Sequence, residues 1–82
     1  MTTHTLKIHP EFLDDIINGD KTFELRYDDR AYRADDVLRL DAGLAFPVAR
    51  VKVTYVLSGW GLRAGYVALG IKLILKEGGA SE

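Results

Sequence analysis

The segment from Gly19 to Arg30, which reads GDKTFELRYDDR, decides the fold. Gly19 is suited to end a helix, and the alternation of polar and apolar residues after it predicts a strand. Its apolar face carries Phe23, Leu25 and Tyr27, and its polar face carries Thr22, Glu24 and Arg26. We expect the apolar face to pack on the core. The polar face carries more opposed charge than a purely structural strand needs, so we expect the function there.

Patterns on either side of this segment predict a single small α+β domain over residues 1–77, followed by a disordered tail at residues 78–82. A helix of about two turns begins at Pro10 and has an apolar face. That face consists of Phe12, Leu13, Ile16 and Ile17. The predicted strands cover residues 4–8, 22–27, 37–41, 49–57 and 66–76. Five short strands and one helix predict a small, mostly antiparallel β-barrel, closed or nearly closed, with the helix plugging one end. A four- or five-stranded open sheet is the alternative.

The two longest predicted strands alternate along their length, and the strand at residues 49–57 is the clearest in the chain. Period-two alternation turns every second residue of each strand to the same face. In the strand at 49–57 one face carries Val51, Val53, Tyr55 and Leu57, and the other carries Arg50, Lys52 and Thr54. In the strand at 66–76 the inward residues are Val67, Leu69, Ile71, Leu73 and Leu75. Each of the two strands is therefore predicted to have one apolar face.

The composition limits the class of protein. The 82 residues include no cysteine, so disulfides and thiolate metal sites are excluded. His4 and His9 lack metal-ligand spacing and are expected to be capping or surface residues, and we predict no metal or cofactor. Without a signal peptide or a long apolar run, the chain is expected to be cytoplasmic and without a membrane partner. The net charge of −1 argues against strong non-specific nucleic-acid binding but leaves room for a local basic cleft.

Three motifs in order extend over almost the whole chain. They are His4-x-Leu6-Lys7-Ile8-x-Pro10-x-Phe12, Gly19-x-Lys21-Thr22-Phe23-Glu24-x-Arg26 and Gly61-Leu62-x-x-Gly65-Tyr66-Val67-x-Leu69-x-Ile71. In this combination the chain resembles the DUF3850 family, of the ASCH-like branch of the PUA-like superfamily. The resemblance implies a small β-barrel with a ligand cleft and a role in binding RNA or modified nucleotides. Two departures stand out: Asp35 replaces the family's usual glycine, and the segment from Pro47 to Arg50 is shortened.

The candidate ligand-binding residues gather around the polar face of the second strand. Lys21 and Arg26 could contact a phosphate or a base edge, and Glu24 could accept a base amino group or orient the two cations. Trp60 and Tyr66 could stack on bases at the rim of the cleft. The complete set is Lys7, Lys21, Glu24, Arg26, Arg30, Trp60 and Tyr66. The structural alternatives are an ion-pair network on a wet barrel face, a Trp60 that covers the barrel end, and a rim tyrosine.

The leading hypothesis is an RNA- or nucleotide-binding module, and two other classes stay open. A relative in the ASCH group hydrolyses N4-acetylcytidine with a lysine, a threonine and a glutamate. Lys21 matches that lysine, whereas the threonine position is Glu24 here. The enzyme hypothesis is therefore a hydrolase of a modified nucleoside, with Lys21 and Glu24 as an acid–base pair. The third hypothesis is a protein-interaction module, which the near-neutral charge and the short loops favour.

Overall fold

The computed structural model describes residues 1–78, which contain one helix and five strands. The elements are β1 (Thr3–Lys7), α1 (Pro10–Asn18), β2 (Phe23–Tyr27), β3 (Val37–Asp41), β4 (Val48–Ser58) and β5 (Tyr66–Glu77). The bounds of β3 are those expected from the sequence, and the other elements begin and end within about one residue of expectation. Of the predicted disordered tail, residues 79–82 lie outside the described residues.

All five strands belong to one sheet, in the order β1-β3-β4-β5-β2. β1 pairs with β3 in parallel, whereas the other three neighbouring pairs are antiparallel. The sheet is therefore mixed. It curls into a half-barrel, and β1 and β2 are its two edges. The expected small barrel is thus open between β1 and β2.

The helix α1 begins and ends at the residues that the sequence suggests. Pro10 occupies the first turn, where its missing N–H costs no hydrogen bond. Gly19 ends the helix in the left-handed conformation, with φ of 86°. The backbone N–H groups of the next two residues both donate to the carbonyl oxygen of Asp15, at 2.9 and 3.0 Å. These bonds fix the turn into β2 and thereby the position of Lys21.

The hydrophobic core lies between the concave face of the sheet and α1. Its buried members are Leu6, Ile8, Leu13, Ile16, Tyr32, Leu38, Leu40, Ala49, Val51, Val53, Val67, Leu69 and Ile71. Each fully buried aliphatic side chain of this kind contributes about 1.5–3 kcal/mol to folding. Ile17 is half-buried and Phe12 is 41% exposed, so the predicted apolar face of the helix is only partly inside the core.

The faces of β2 are reversed relative to the sequence prediction. Phe23, Leu25 and Tyr27 are 47%, 53% and 58% exposed, whereas Glu24 is only 5% exposed. The prediction that the apolar face packs on the core was therefore wrong. Alternation separates two faces of a strand but does not state which one faces inward. Here the inward carboxylate is stabilised by two cations, described below, and the apolar side chains lie on the convex surface.

Irregular pairing between β4 and β5 explains the other misplaced core residues. A register shift between Val53 and Tyr55 turns Tyr55 outward, opposite Gly70, so that it is 64% exposed. Leu57 then pairs with Ala68 and is half-buried, so Tyr55 and Leu57 do not share the buried face of Val51 and Val53 as predicted.

The predicted inward direction of the last part of β5 also fails. Leu73 and Leu75 are 36% and 42% exposed. This end of β5 extends beyond its last pairing with β2, at Gly70, and a second register shift falls between Arg50 and Val51 of β4. The inward apolar face predicted for this strand therefore ends at Ile71.

The loop between β2 and β3 is fixed by a buried histidine–aspartate pair. His4, expected to be a surface or capping residue, is 8% exposed, and its Nε2 lies 2.9 Å from Oδ2 of Asp36. The carboxylate of Asp36 also accepts from the backbone N–H groups of Thr2 and Arg33, both at 3.0 Å. Burial alone would raise the pKa of Asp36, but these hydrogen bonds outweigh it and hold that pKa below its ordinary 3.8.

The conformation of Asp35 accounts for one departure from the family pattern. Its φ is 74°, in the left-handed region that glycine adopts most easily. The turn thus keeps a glycine-like conformation although the residue is aspartate, a residue type that tolerates it better than most.

Candidate ligand-binding cleft

An open cleft lies between the two sheet edges, in the gap of the half-barrel. Its volume is about 1170 Å³, and its walls come from β1, the start of α1, β2 and the residues around the end of β3. The lining residues are Thr5, Leu6, Lys7, Ile8, His9, Phe12, Lys21, Phe23, Glu24, Leu25, Arg26, Arg30, Asp41, Ala42 and Gly43.

The carboxylate of Glu24 holds two cations on the β2 side of the cleft. Nζ of Lys21 donates to its Oε1 at 2.8 Å, and Nε of Arg26 donates to its Oε2 at 2.8 Å. The three side chains are 6%, 15% and 24% exposed, in the order Glu24, Lys21, Arg26. Two charge-assisted hydrogen bonds therefore offset the desolvation of the carboxylate and hold both cations in fixed positions.

Two arginines cross the gap and contact the backbone of β1. Nη2 of Arg26 donates to the carbonyl oxygen of Lys7 at 2.6 Å, and Nη1 of Arg30 donates to that of Thr5 at 3.2 Å. An edge strand leaves alternate carbonyl groups without a partner in the sheet. The guanidinium groups supply those partners, so the two edges are joined by side chains rather than by a ladder of backbone hydrogen bonds.

Aromatic rings border the ammonium group of Lys21. Its Nζ lies 4.9 Å from the centre of the Phe12 ring and 5.1 Å from that of Phe23. Both distances are within the range of cation–π attraction. The cleft therefore combines a positioned cation with two flat apolar surfaces, and Phe12 and Phe23 are wall residues that the sequence prediction assigned to the core instead.

The charge of the cleft differs from that of the chain. Four lining residues are cationic, namely Lys7, Lys21, Arg26 and Arg30, and two are anionic, Glu24 and Asp41. The side chains that line the cleft thus carry +2 (four minus two), whereas the whole chain carries −1. Clefts with a local excess of one sign concentrate ligands of the opposite sign, so this arrangement is suited to an anion.

Five of the seven predicted site residues lie together in the cleft: Lys7, Lys21, Glu24, Arg26 and Arg30. Trp60 and Tyr66 do not line it. Trp60 is 89% exposed in the loop between β4 and β5, so the alternative in which it covers the barrel end was wrong. Tyr66 contacts Tyr27 edge-to-face, with ring centres 5.5 Å apart. The two aromatic candidates therefore belong to another surface.

The fold and cleft define a small α+β protein with a curled mixed sheet and a basic cleft between the sheet edges. The chain belongs to the family described as "Domain of unknown function (DUF3850)", whose profile matches residues 3–71. That range includes every residue that lines the cleft. No curated protein matches the chain.

Two further observations concern the part of the chain that the structure describes. No helix within residues 1–78 is long and apolar enough to cross a membrane. In the same residues, His, Asp and Glu side chains form no group of three or more that could hold a metal ion.

Proposed function

We propose that the cleft binds a nucleotide, either free or as part of an RNA chain. The observation that carries this proposal is the excess of positive charge in a cleft where Glu24 fixes Lys21 and Arg26. Pre-positioned donors lose little conformational entropy when they bind a ligand. A phosphate would neutralise the excess charge, and a base would contact the aromatic walls.

Both arginines of the cleft retain donors for a ligand. Among the contacts of the described residues, Arg26 uses Nε and Nη2 within the protein. Arg30 uses Nη1 for Thr5, and its Nε lies 3.9 Å from Oδ1 of Asp29 in an exposed ion pair. Each guanidinium has five N–H donors, so both retain donors that can bind phosphate oxygens. The exposed Lys7 at the opposite wall adds a further cation.

The fold also supports a proposal about the wider group to which the family belongs. We infer that the half-barrel is an ASCH-type member of the PUA-like superfamily. The support is the resemblance of the Gly19–Arg26 and Gly61–Ile71 motifs, together with a curled sheet that leaves a ligand-sized gap beside a short helix.

The geometry of Glu24 favours binding over catalysis. A general base needs an oxygen that can reach a substrate proton. Both oxygens of Glu24 already accept from cations, at 2.8 Å each. Lys21 and Glu24 therefore act better as a positioning pair than as an acid–base pair. The competing hypothesis, a hydrolase of N4-acetylcytidine, predicts release of acetate from that nucleoside and would be supported by measurable turnover.

The test is an amide NMR titration of the full chain with cytidine 5′-monophosphate, cytidine, N4-acetylcytidine and a short mixed-sequence RNA. We expect shifts at Lys21, Arg26 and Arg30 with the monophosphate and the RNA, and weaker shifts with the nucleosides. Arg30→Met should weaken binding about tenfold or more, because a charge-assisted hydrogen bond contributes roughly 1.5 kcal/mol or more.

Arg33→Met is the matched control for Arg30→Met. Arg33 is also exposed and lies in the same loop, but it does not line the cleft. Equal affinities for the two variants would refute the placement of the ligand in the cleft. No shifts with any ligand would favour the protein-interaction hypothesis, which a nuclease-resistant protein partner would then support.

A further inference from the structure

The convex surface of β2, β5 and β4 carries five large apolar side chains, which we call the outer aromatic face. They are Phe23, Leu25, Tyr27, Tyr55 and Tyr66, and their exposed fractions run from 37% to 64%. Strand pairing makes this surface continuous, since Tyr27 lies opposite Tyr66, and both Phe23 and Tyr55 lie opposite Gly70. The small residues Ala68 and Gly70 lie between the larger side chains, and Thr54 and Tyr55 pack against Gly70.

The apolar area of the outer aromatic face is about that of the apolar part of a standard protein interface, so the area alone does not select its occupant. With about 200 Å² for each large side chain, roughly half of it exposed, the five residues present roughly 500 Å². A standard protein–protein interface buries about 800 Å² on each partner. Its four rings, of which Tyr27 and Tyr66 contact each other edge-to-face, are of the kind on which successive bases of a single strand stack.

Cations lie at both ends of this face. Lys52 and Lys72 are opposite each other across β4 and β5, at the next outward position beyond Gly70. Like charges directly opposite each other repel, so a phosphate bound between the two lysines would relieve that repulsion. Asp35 contacts Lys52 at 3.2 Å in an exposed ion pair. At the other end, Arg63 and Leu62 line a small depression with Leu25 and Tyr66.

We propose that the outer aromatic face binds single-stranded nucleic acid. Bases stack on Tyr55, Phe23 and Tyr66, and the phosphates lie at Lys52 and Lys72. Proteins bind single strands through aromatic rings on which the bases stack and cations that contact the phosphates, and this needs no base-specific hydrogen bonds. This surface is distinct from the cleft, although Phe23 and Leu25 border both.

Trp60 extends the same chemistry beyond the sheet. It is 89% exposed and adopts φ of 53°, between two glycines that also have positive φ. A tryptophan in the left-handed region is strained, and the described structure gives it little burial to offset the strain. An exposed ring on the loop that leads into Tyr66 is in a position to stack on a further base.

The test is fluorescence anisotropy of the full chain with fluorescein-labelled oligouridylate and oligothymidylate, each of about twelve nucleotides, at low and moderate salt. We expect Tyr55→Ala to weaken binding roughly tenfold and Tyr55→Phe to bind as the wild type does, because both rings stack. Lys72→Glu should weaken binding and reduce its salt dependence. Lys76→Glu, on the same strand but opposite the inward residue Ala49, makes the same charge change and should have a much smaller effect.

The outcomes separate this proposal from the proposed function of the cleft. If Tyr55→Ala and Lys72→Glu bind the oligonucleotides with the affinity of the wild type, the proposal that the outer aromatic face binds them is overturned. If only Arg30→Met weakens the oligonucleotides, the strand binds in the cleft, and the proposal is overturned while the cleft function stands. If Tyr55→Ala and Lys72→Glu weaken them although no nucleotide shifts the cleft residues, the outer face stands alone. Self-association abolished by Tyr55→Ala, without oligonucleotide binding, identifies a second copy as the occupant and overturns the proposal.

Discussion

Arg26 and Lys7 join the two free edges of the sheet through one hydrogen bond, from Nη2 to the backbone carbonyl oxygen, at 2.6 Å. The same guanidinium contacts the carboxylate of Glu24, so one side chain connects the wall of the cleft with its buried charge network. A change at Arg26 should therefore affect stability and ligand binding together.

The first prediction concerns the shape of the Arg26 side chain. Arg26→Lys keeps the charge, but one ammonium cannot match the planar guanidinium that contacts Glu24 and Lys7 simultaneously. We expect the free energy of unfolding to fall by about 1–2 kcal/mol, measured by urea denaturation, because a charge-assisted hydrogen bond is lost. Arg33→Lys is the control and should change stability by less than about 0.5 kcal/mol. A wild-type midpoint for Arg26→Lys would show that the bridge does not stabilise the fold.

The second prediction separates the structural role of the charge network from its role in binding. Replacing a whole buried ion network with apolar residues of similar volume is often neutral, whereas removing one partner is costly. We compare the single variant Lys21→Met with the triple variant Lys21→Met, Glu24→Leu, Arg26→Met. The free energy of unfolding of the triple variant should be higher than that of the single variant, or lower by no more than about 1 kcal/mol. The triple variant should nevertheless lose binding of cytidine 5′-monophosphate. Retained binding in the folded triple variant would show that the network does not hold the ligand.

The third prediction is a pH dependence that comes from Asp36. Because its pKa in the folded protein lies below the ordinary 3.8, the ionised form stabilises the native state. That contribution is present in full above the unfolded pKa and is lost as the pH falls through the folded one. The loss of unfolding free energy caused by Asp36→Asn should be largest near pH 7. Below about pH 4 the unfolding free energy of this variant should decline less steeply with falling pH than that of the wild type. Asp14→Asn, an exposed helix position, is the control; an equal effect at both positions would contradict the role of Asp36.

The fourth prediction compares two glycines in the loop between β4 and β5. Both Gly61 and Gly65 have positive φ, of 91° and 86°, so alanine is strained at either position. Only at Gly65 would a Cβ meet another residue, since it would lie 2.7 Å from Cε1 of Tyr27. In Gly65→Ala, Tyr27 would have to leave its edge-to-face contact with Tyr66. The free energy of unfolding should therefore fall by about 0.5–1.5 kcal/mol more than in Gly61→Ala. Calorimetry of both variants measures the difference, which should vanish in a Tyr27→Ala background.

Much of the fold could be predicted from the sequence because its signals are local. Pro10 and Gly19 mark the ends of the helix, and the alternation of Leu38 and Leu40 marks β3. The phase of β4 could not be predicted beyond Val53, because a register shift depends on its partner strand and leaves no distinct pattern in the chain.

The sequence predicted which charged residues of β2 form the cleft, but not the direction in which their side chains point. The charges of Lys21, Glu24 and Arg26 indicated a site on β2, and these side chains do lie in one cleft. The sequence could not show that Glu24 faces inward, because its burial depends on cations that compensate its charge. Nor could it place Arg30 against the carbonyl oxygen of Thr5, a contact between residues 25 positions apart.

The order of strands also has a consequence for how the protein folds. β4 and β5 are neighbours in sequence and form a hairpin. β1 and β3 pair although they are far apart in sequence: Thr2 and Asp36, the residues just before the two strands, are 34 positions apart. Non-local parallel pairing forms slowly, because the entropy of closing a long loop is lost before the contacts form. We therefore expect the hairpin to be present in the transition state and β1 to dock late, so that the gap between the edges is assembled last.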